Sequence, residues 1–190
     1  MKFLIISMLM LLLTACVTLS LGPVEKTSEN IQLEDKRIES EKKSYRESAL
    51  SSYILLGDDD FDKNPTVYIK DALSRKKPHS VEKINLQLSK FRIIDNFPDR
   101  MSKSTSAALS GAMTSMGYST YYTSSIENKD SIMCVLEGVL NGRSVKSVST
   151  VPYKISKFAG AVRSQPEFIA AVKESIEKCV ESAIKQARST

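Results

Sequence analysis

The chain has 190 residues, with 27 basic and 22 acidic side chains and a formal net charge of +5 at neutral pH. That length suits one compact domain and leaves no room for two large ones. Lys42, Lys43, Arg75, Lys76 and Lys77 lie among Asp and Glu and are not interleaved with aromatics, which speaks for solvated faces and against a nucleic-acid groove.

The chain opens with Lys2, an apolar run from Phe3 to Leu13, then Thr14, Ala15 and Cys16. A positive start, a short apolar core and small residues before a cleavage point mark an export signal, and the core is too short to span a bilayer. Because the residue after the cleavage point is a cysteine with Leu13 three positions before it, the segment resembles the signal of bacterial lipoproteins. The resemblance implies a signal peptide over 1–15, a diacylglycerol on the Cys16 thiol, and a further acyl chain such as palmitate on the new amino terminus. The covalent lipid is then the one attached group, and no other cofactor is expected. One acyl chain holds a protein only marginally, whereas two or three on one residue anchor it permanently. Val17 and Thr18, in place of Asp, favour the outer membrane and a periplasm-facing location. The competing reading is an incidental cysteine near an ordinary cleavage site or within an uncleaved anchor.

Residues 16–30 mix Thr, Ser, Gly and Pro with few bulky groups and read as a flexible tether. A single domain over 31–190 follows. Ile31 and Leu33 alternate with Gln32 and Glu34 as in a half-buried strand, and Tyr53 to Leu56 suggest a second strand ending at Gly57; the two are expected to form a hairpin with a long loop. Asp58, Asp60 and Asp62 sit at the first, third and fifth positions of a calcium loop. Lys63 and Ile69 then stand where Gly and a bidentate Glu are needed, so an acidic turn before a helix is the better reading. Asn64 is the expected cap, with Pro65 at the first helical position and Tyr68, Ile69, Ala72 and Leu73 as the buried stripe.

Val81 to Asp95 is a long strand whose alternation changes phase: Ile84, Leu86 and Leu88 share one face, whereas Phe91 and Ile93 belong to the other. A bulge at Ser89 and Lys90 reconciles them. Ser102 to Ser125 is rich in Ser, Thr, Ala and Gly and supports two readings. Ala108, Leu109, Ala112, Met113 and Met116 recur at helical spacing, as in a tightly packed helix; alternatively Tyr118, Tyr121 and Tyr122 belong to an adaptable partner surface. Asn141-Gly142 between apolar runs predicts a hairpin, and Gly138 a bulge or close backbone approach. Ser164 with Glu167 reads as a capping box opening a long terminal helix. Its buried stripe is Phe168, Ala171, Val172, Ser175, Ile176, Cys179, Val180, Ala183 and Ile184.

With Cys16 lipidated, Cys134 and Cys179 remain, and an oxidising compartment permits them to pair as a disulfide; otherwise they are small apolar core residues. The one histidine, His79, follows a Lys-Pro turn and reads as a surface loop residue, so no metal site is expected. No nucleophile, base and orienting group form a catalytic set. Ser80 with Lys83 and Ser175 with Lys178 match a Ser-x-x-Lys spacing whose companion motifs are missing.

The element order predicts an α+β fold, an antiparallel sheet with helices packed on one face and a long C-terminal helix. The signal, the size and the opening strand Ile31 to Arg37, with its Asp35-Lys36-Arg37, resemble the uncharacterised YajG-type lipoproteins, which implies only an envelope lipoprotein of unknown role. The expected function is a non-enzymatic, membrane-anchored envelope protein binding a protein partner as an accessory or scaffold, with no nucleic acid. The alternatives are a carrier of a lipid or cell-wall ligand, which needs a lined pocket, and an envelope hydrolase, which needs titratable groups converging in a cleft.

Overall fold

The computed structural model describes residues 18–24, 30–45, 53–77, 83–97, 130–154, 162 and 165–189. The chain is α+β as its element order predicts, with five strands and a long C-terminal helix among the described residues.

The fold is organised by one long strand, β3 (Ile84–Asn96). On one side β3 pairs along its length with β4 (Ser131–Leu140), which pairs in turn with β5 (Arg143–Pro152), both antiparallel. On its other side the edge is shared: β1 (Ile31–Asp35) runs parallel to its first half, and β2 (Tyr53–Leu56) antiparallel to its second. The sheet is therefore mixed rather than purely antiparallel, and the expected hairpin between β1 and β2 does not form. The reason is length: a strand of 13 residues offers an edge long enough for strands of five and four residues end to end. Each gains a ladder with an apolar strand instead of with the other short one.

The register shifts between Leu88 and Lys90, at the expected bulge. It turns Leu86, Leu88, Phe91 and Ile93 into one buried cluster despite their opposite phases. Asn141 and Gly142 close the β4–β5 hairpin with φ of 50° and 81°, the left-handed pair a two-residue hairpin turn demands.

Two helices cover this face of the sheet: α2 (Pro65–Lys76) and α3 (Pro166–Ser189). A single turn, α1 (Glu39–Lys42), precedes them. Asn64 caps α2 by accepting from Thr66 N at 3.0 Å, with Pro65 next to it. The nine apolar and small residues named above for the terminal helix are its buried residues. Its first ladder bond runs from Ile169 N to Gln165 O, which puts the helix start after Gln165; Ser164 lies outside the described residues.

The expectation of a flexible tether over 16–30 is not met at Leu19 and Leu21. Leu19 and Leu21 are buried to 0% and 4% exposure and belong to the main core. Leu19, Ser20 and Leu21 alternate as a short extended strap whose two leucines reach the gap beside α2, and burying them outweighs the local preference of Gly22 and Pro23 for a loop.

Candidate functional site

Of the residues singled out from sequence, Cys16, Tyr118, Tyr121 and Tyr122 lie outside the described residues, as do His79 and Ser80. Cys134 and Cys179 are described, buried and unbonded. Packing of α3 on β4 brings them together: the Cys179 Sγ lies 3.4 Å from the Cys134 carbonyl oxygen and 3.2 Å from Ser147 Oγ. Ser147 donates to the Cys179 carbonyl at 2.6 Å and Ser149 to that of Ser175 at 2.6 Å, so a strip of small polar side chains lets the helix approach β5 closely. Burial pushes the Cys134 thiol well above its ordinary pKa. Ser175 and Lys178 are separated by the helix. The serine is buried and donates to Val172 O at 2.8 Å, whereas the lysine is exposed and pairs with Glu174 at 2.7 Å.

The feature that sequence reasoning missed is the docked strap. Leu19 forms a parallel bridge with Phe61, its N–H donating to Asp60 O at 2.6 Å and its carbonyl accepting from Asp62 N at 3.0 Å. The Tyr68 hydroxyl donates to Asp62 and accepts a long bond from Leu21 N at 3.5 Å. Burial together with the Asp62 bond pushes the Tyr68 phenol up to about 12. Burial raises the Asp62 carboxyl, but hydrogen bonds from Tyr68 and Ser20 outweigh it and hold the group below its ordinary range.

Further along, Leu21 and Pro23 roof a cleft between α2 and α3 floored by Tyr68, Asp71 and Ile176. Its volume is about 10 Å³, room for a single water. Asp71 is buried there; one carboxylate oxygen accepts from Arg75 at 2.9 and 3.2 Å and the other has no hydrogen-bond partner among the described residues. Arg75 in turn bonds Glu177 of α3 at 2.7 Å, tying the helices together at the strap's edge.

The loop that receives the strap is held from behind by Arg37, which is 4% exposed. Its guanidinium forks twice, bonding Asp35 at 2.9 and 2.8 Å and Asp58 at 2.9 and 2.9 Å, and lies 6.0 Å from the Phe91 ring centre. Burial raises the Asp35 carboxyl, but the bonds from Arg37 hold it below the ordinary range. These carboxylates neutralise the arginine and fix the Asp58–Asp60 turn. The acid-rich stretch read from sequence as a turn is thus the socket for Leu19.

The opposite face of the sheet carries a second apolar cluster: Ile94, Met133 and Val135 are buried, with Tyr53 and Leu55 packed against them. Tyr45 and Val148 are among the exposed large apolar side chains, at 49% and 44%. Asn96 pairs with Ser131, so residues 98–129, which hold the three tyrosines, leave and re-enter at the same end of the sheet.

No protein-family model, curated protein or solved structure matches the chain. Among the described residues, no helix is long and apolar enough to cross a membrane.

Proposed function

We propose that the protein is a lipid-anchored lipoprotein of the bacterial envelope, a non-enzymatic accessory that binds a protein partner on the periplasmic side of the outer membrane. The observation that carries the reading is Cys16 directly behind Lys2, the apolar run to Leu13, and Thr14-Ala15. Its covalent lipid is the membrane contact, and Val17 and Thr18 favour the outer membrane. The docked strap supports it, because burial of Leu19, three residues beyond Cys16, suits a chain fixed at Cys16. The accessory role is supported by how the ionisable groups are used. Arg37, Asp35, Asp58, Asp71, Arg75 and Glu177 are spent on one another, which builds a rigid platform. Exposed Tyr45 and Val148 suit a partner's apolar side chains.

The test is metabolic labelling with palmitate, followed by crosslinking and purification of the intact chain and of Cys16→Ala. The expected result is label on the intact chain only, and one envelope complex recovered reciprocally with it and not with the variant. Recovery of lipid or glycan with no protein partner overturns the accessory role in favour of a ligand carrier.

A further inference from the structure

Between Cys16 and Leu19 there are three peptide steps, and a fully extended residue spans at most about 3.5 Å, so the leash from an acyl anchor to the folded core is roughly 10 Å. A tether running undocked to Asn30 would instead reach roughly 50 Å. The headgroup layer on each side of a bilayer is about 6 Å thick, so it alone takes up more than half of the short leash. The leash stays short because Leu19 is fully buried, is bonded through its backbone to Asp60 and Asp62, and is followed by buried Leu21.

We infer that the domain rides directly on the leaflet holding its anchor, with the Asp58–Asn64 loop that receives Leu19 set against the lipid headgroups. The inference rests on the lipidation proposed above. The loop is acidic: Asp58 shares Arg37 with Asp35, Asp60 and Asp62 accept hydrogen bonds from Gly57 N and Tyr68 that leave their charge in place, and Asp59 is exposed, so the short leash and not charge attraction sets this contact. β5 forms the far edge of the sheet, three strand spacings or about 14 Å from the edge of β1 and β2 that adjoins the loop. Of the two exposed apolar side chains offered to a partner, Val148 lies on β5 and so away from the lipid, whereas Tyr45 bridges Leu55 of β2 on the loop's side.

The test uses the full lipidated chain in phosphatidylethanolamine–phosphatidylglycerol vesicles carrying a headgroup acceptor dye, with a donor dye placed through Lys63→Cys or, separately, Lys146→Cys. Asp59→Cys serves as a second label site in the loop. Energy transfer at least twofold higher from the loop positions than from position 146 is expected. Insertion of twelve Gly and Ser residues between Val17 and Thr18 should abolish that difference. Equal transfer from both sites, unchanged by the insertion, overturns the inference while lipid on Cys16 in the mass spectrum leaves the lipoprotein reading standing. A mass spectrum without that lipid overturns both.

Discussion

Gly138 lies opposite Leu88, where β3 bulges, and a Cβ there would meet the Gln87 carbonyl oxygen at 2.2 Å. Backbone cannot yield as a flexible side chain does, so Gly138→Ala must spread β3 from β4, at a cost of about 2 kcal/mol or more. A lower denaturant midpoint with an unchanged slope is the expected result. Arg37 works in the opposite sense, through what its removal leaves behind. Arg37→Met keeps the stem on Phe91 but strands Asp35 and Asp58, and should cost about 3 kcal/mol at neutral pH, less than a fully buried pair because both carboxylates retain some solvent contact. The loss should shrink as pH falls and Asp35, held low by Arg37 in the native protein, takes up a proton, so following the unfolding midpoint with pH separates this charge effect from lost packing. Cys134 and Cys179 make a third case. The folded reduced chain should react with thiol reagents at neither position until denatured, because both are buried and the Cys134 thiol is pushed up by burial. In the exported chain, a thiol–disulfide oxidoreductase can take the two electrons and both protons as the pair closes. Denatured but unreduced protein should then show no free thiol, whereas two titrating thiols would mean the pair stays reduced.

At the scale of elements, the strap has a pH window set by the two groups that clamp it. Asp62 has a lowered folded pKa, so its contribution is present above the ordinary carboxylate value of 3.8 and is lost as pH falls below it. Tyr68 has a raised folded pKa, so its contribution is present below the ordinary 10.0 and is lost as pH climbs toward about 12. The protection of the Leu19 and Asp62 amides, taken relative to an unfolded chain at the same pH, should be high between these limits and fall on both sides while β3 stays protected. Uniform exchange across the strap and β3 would mean that the two open together. Which elements were legible in the sequence follows from the range of the forces involved. The bulge, the Asn141-Gly142 turn, the Asn64-Pro65 cap and the α3 stripe are each set by neighbours within a few positions, so side-chain period and turn chemistry reveal them. The partner of β1 is set by competition for the edge of β3, which no local pattern records. The strap carries two leucines in a loop-like setting, and only the waiting gap beside Phe61 and Tyr68 distinguishes it from a tether.

For the whole molecule, the strap decides where the domain begins. A boundary at Ile31, the natural one from composition, leaves Leu19 and Leu21 outside, although both belong to the main core. Burying a leucine contributes about 1.5–3 kcal/mol, so losing both should remove about 4 kcal/mol, a large part of the 5–15 kcal/mol typical of a domain. At roughly 2–4 °C per kcal/mol for a chain of this size, a form starting at Glu25 should melt about 10 °C below one starting at Val17, still in one cooperative step because the sheet and both helices remain. Part of the gap should return when a peptide of residues 17–24 is added in excess, since mass action favours the form it binds. Equal melting points for the two forms would show that the leucines contribute nothing in solution. The leash would then lengthen to the full tether, and the domain would be free to leave the membrane surface that the docked strap holds it against.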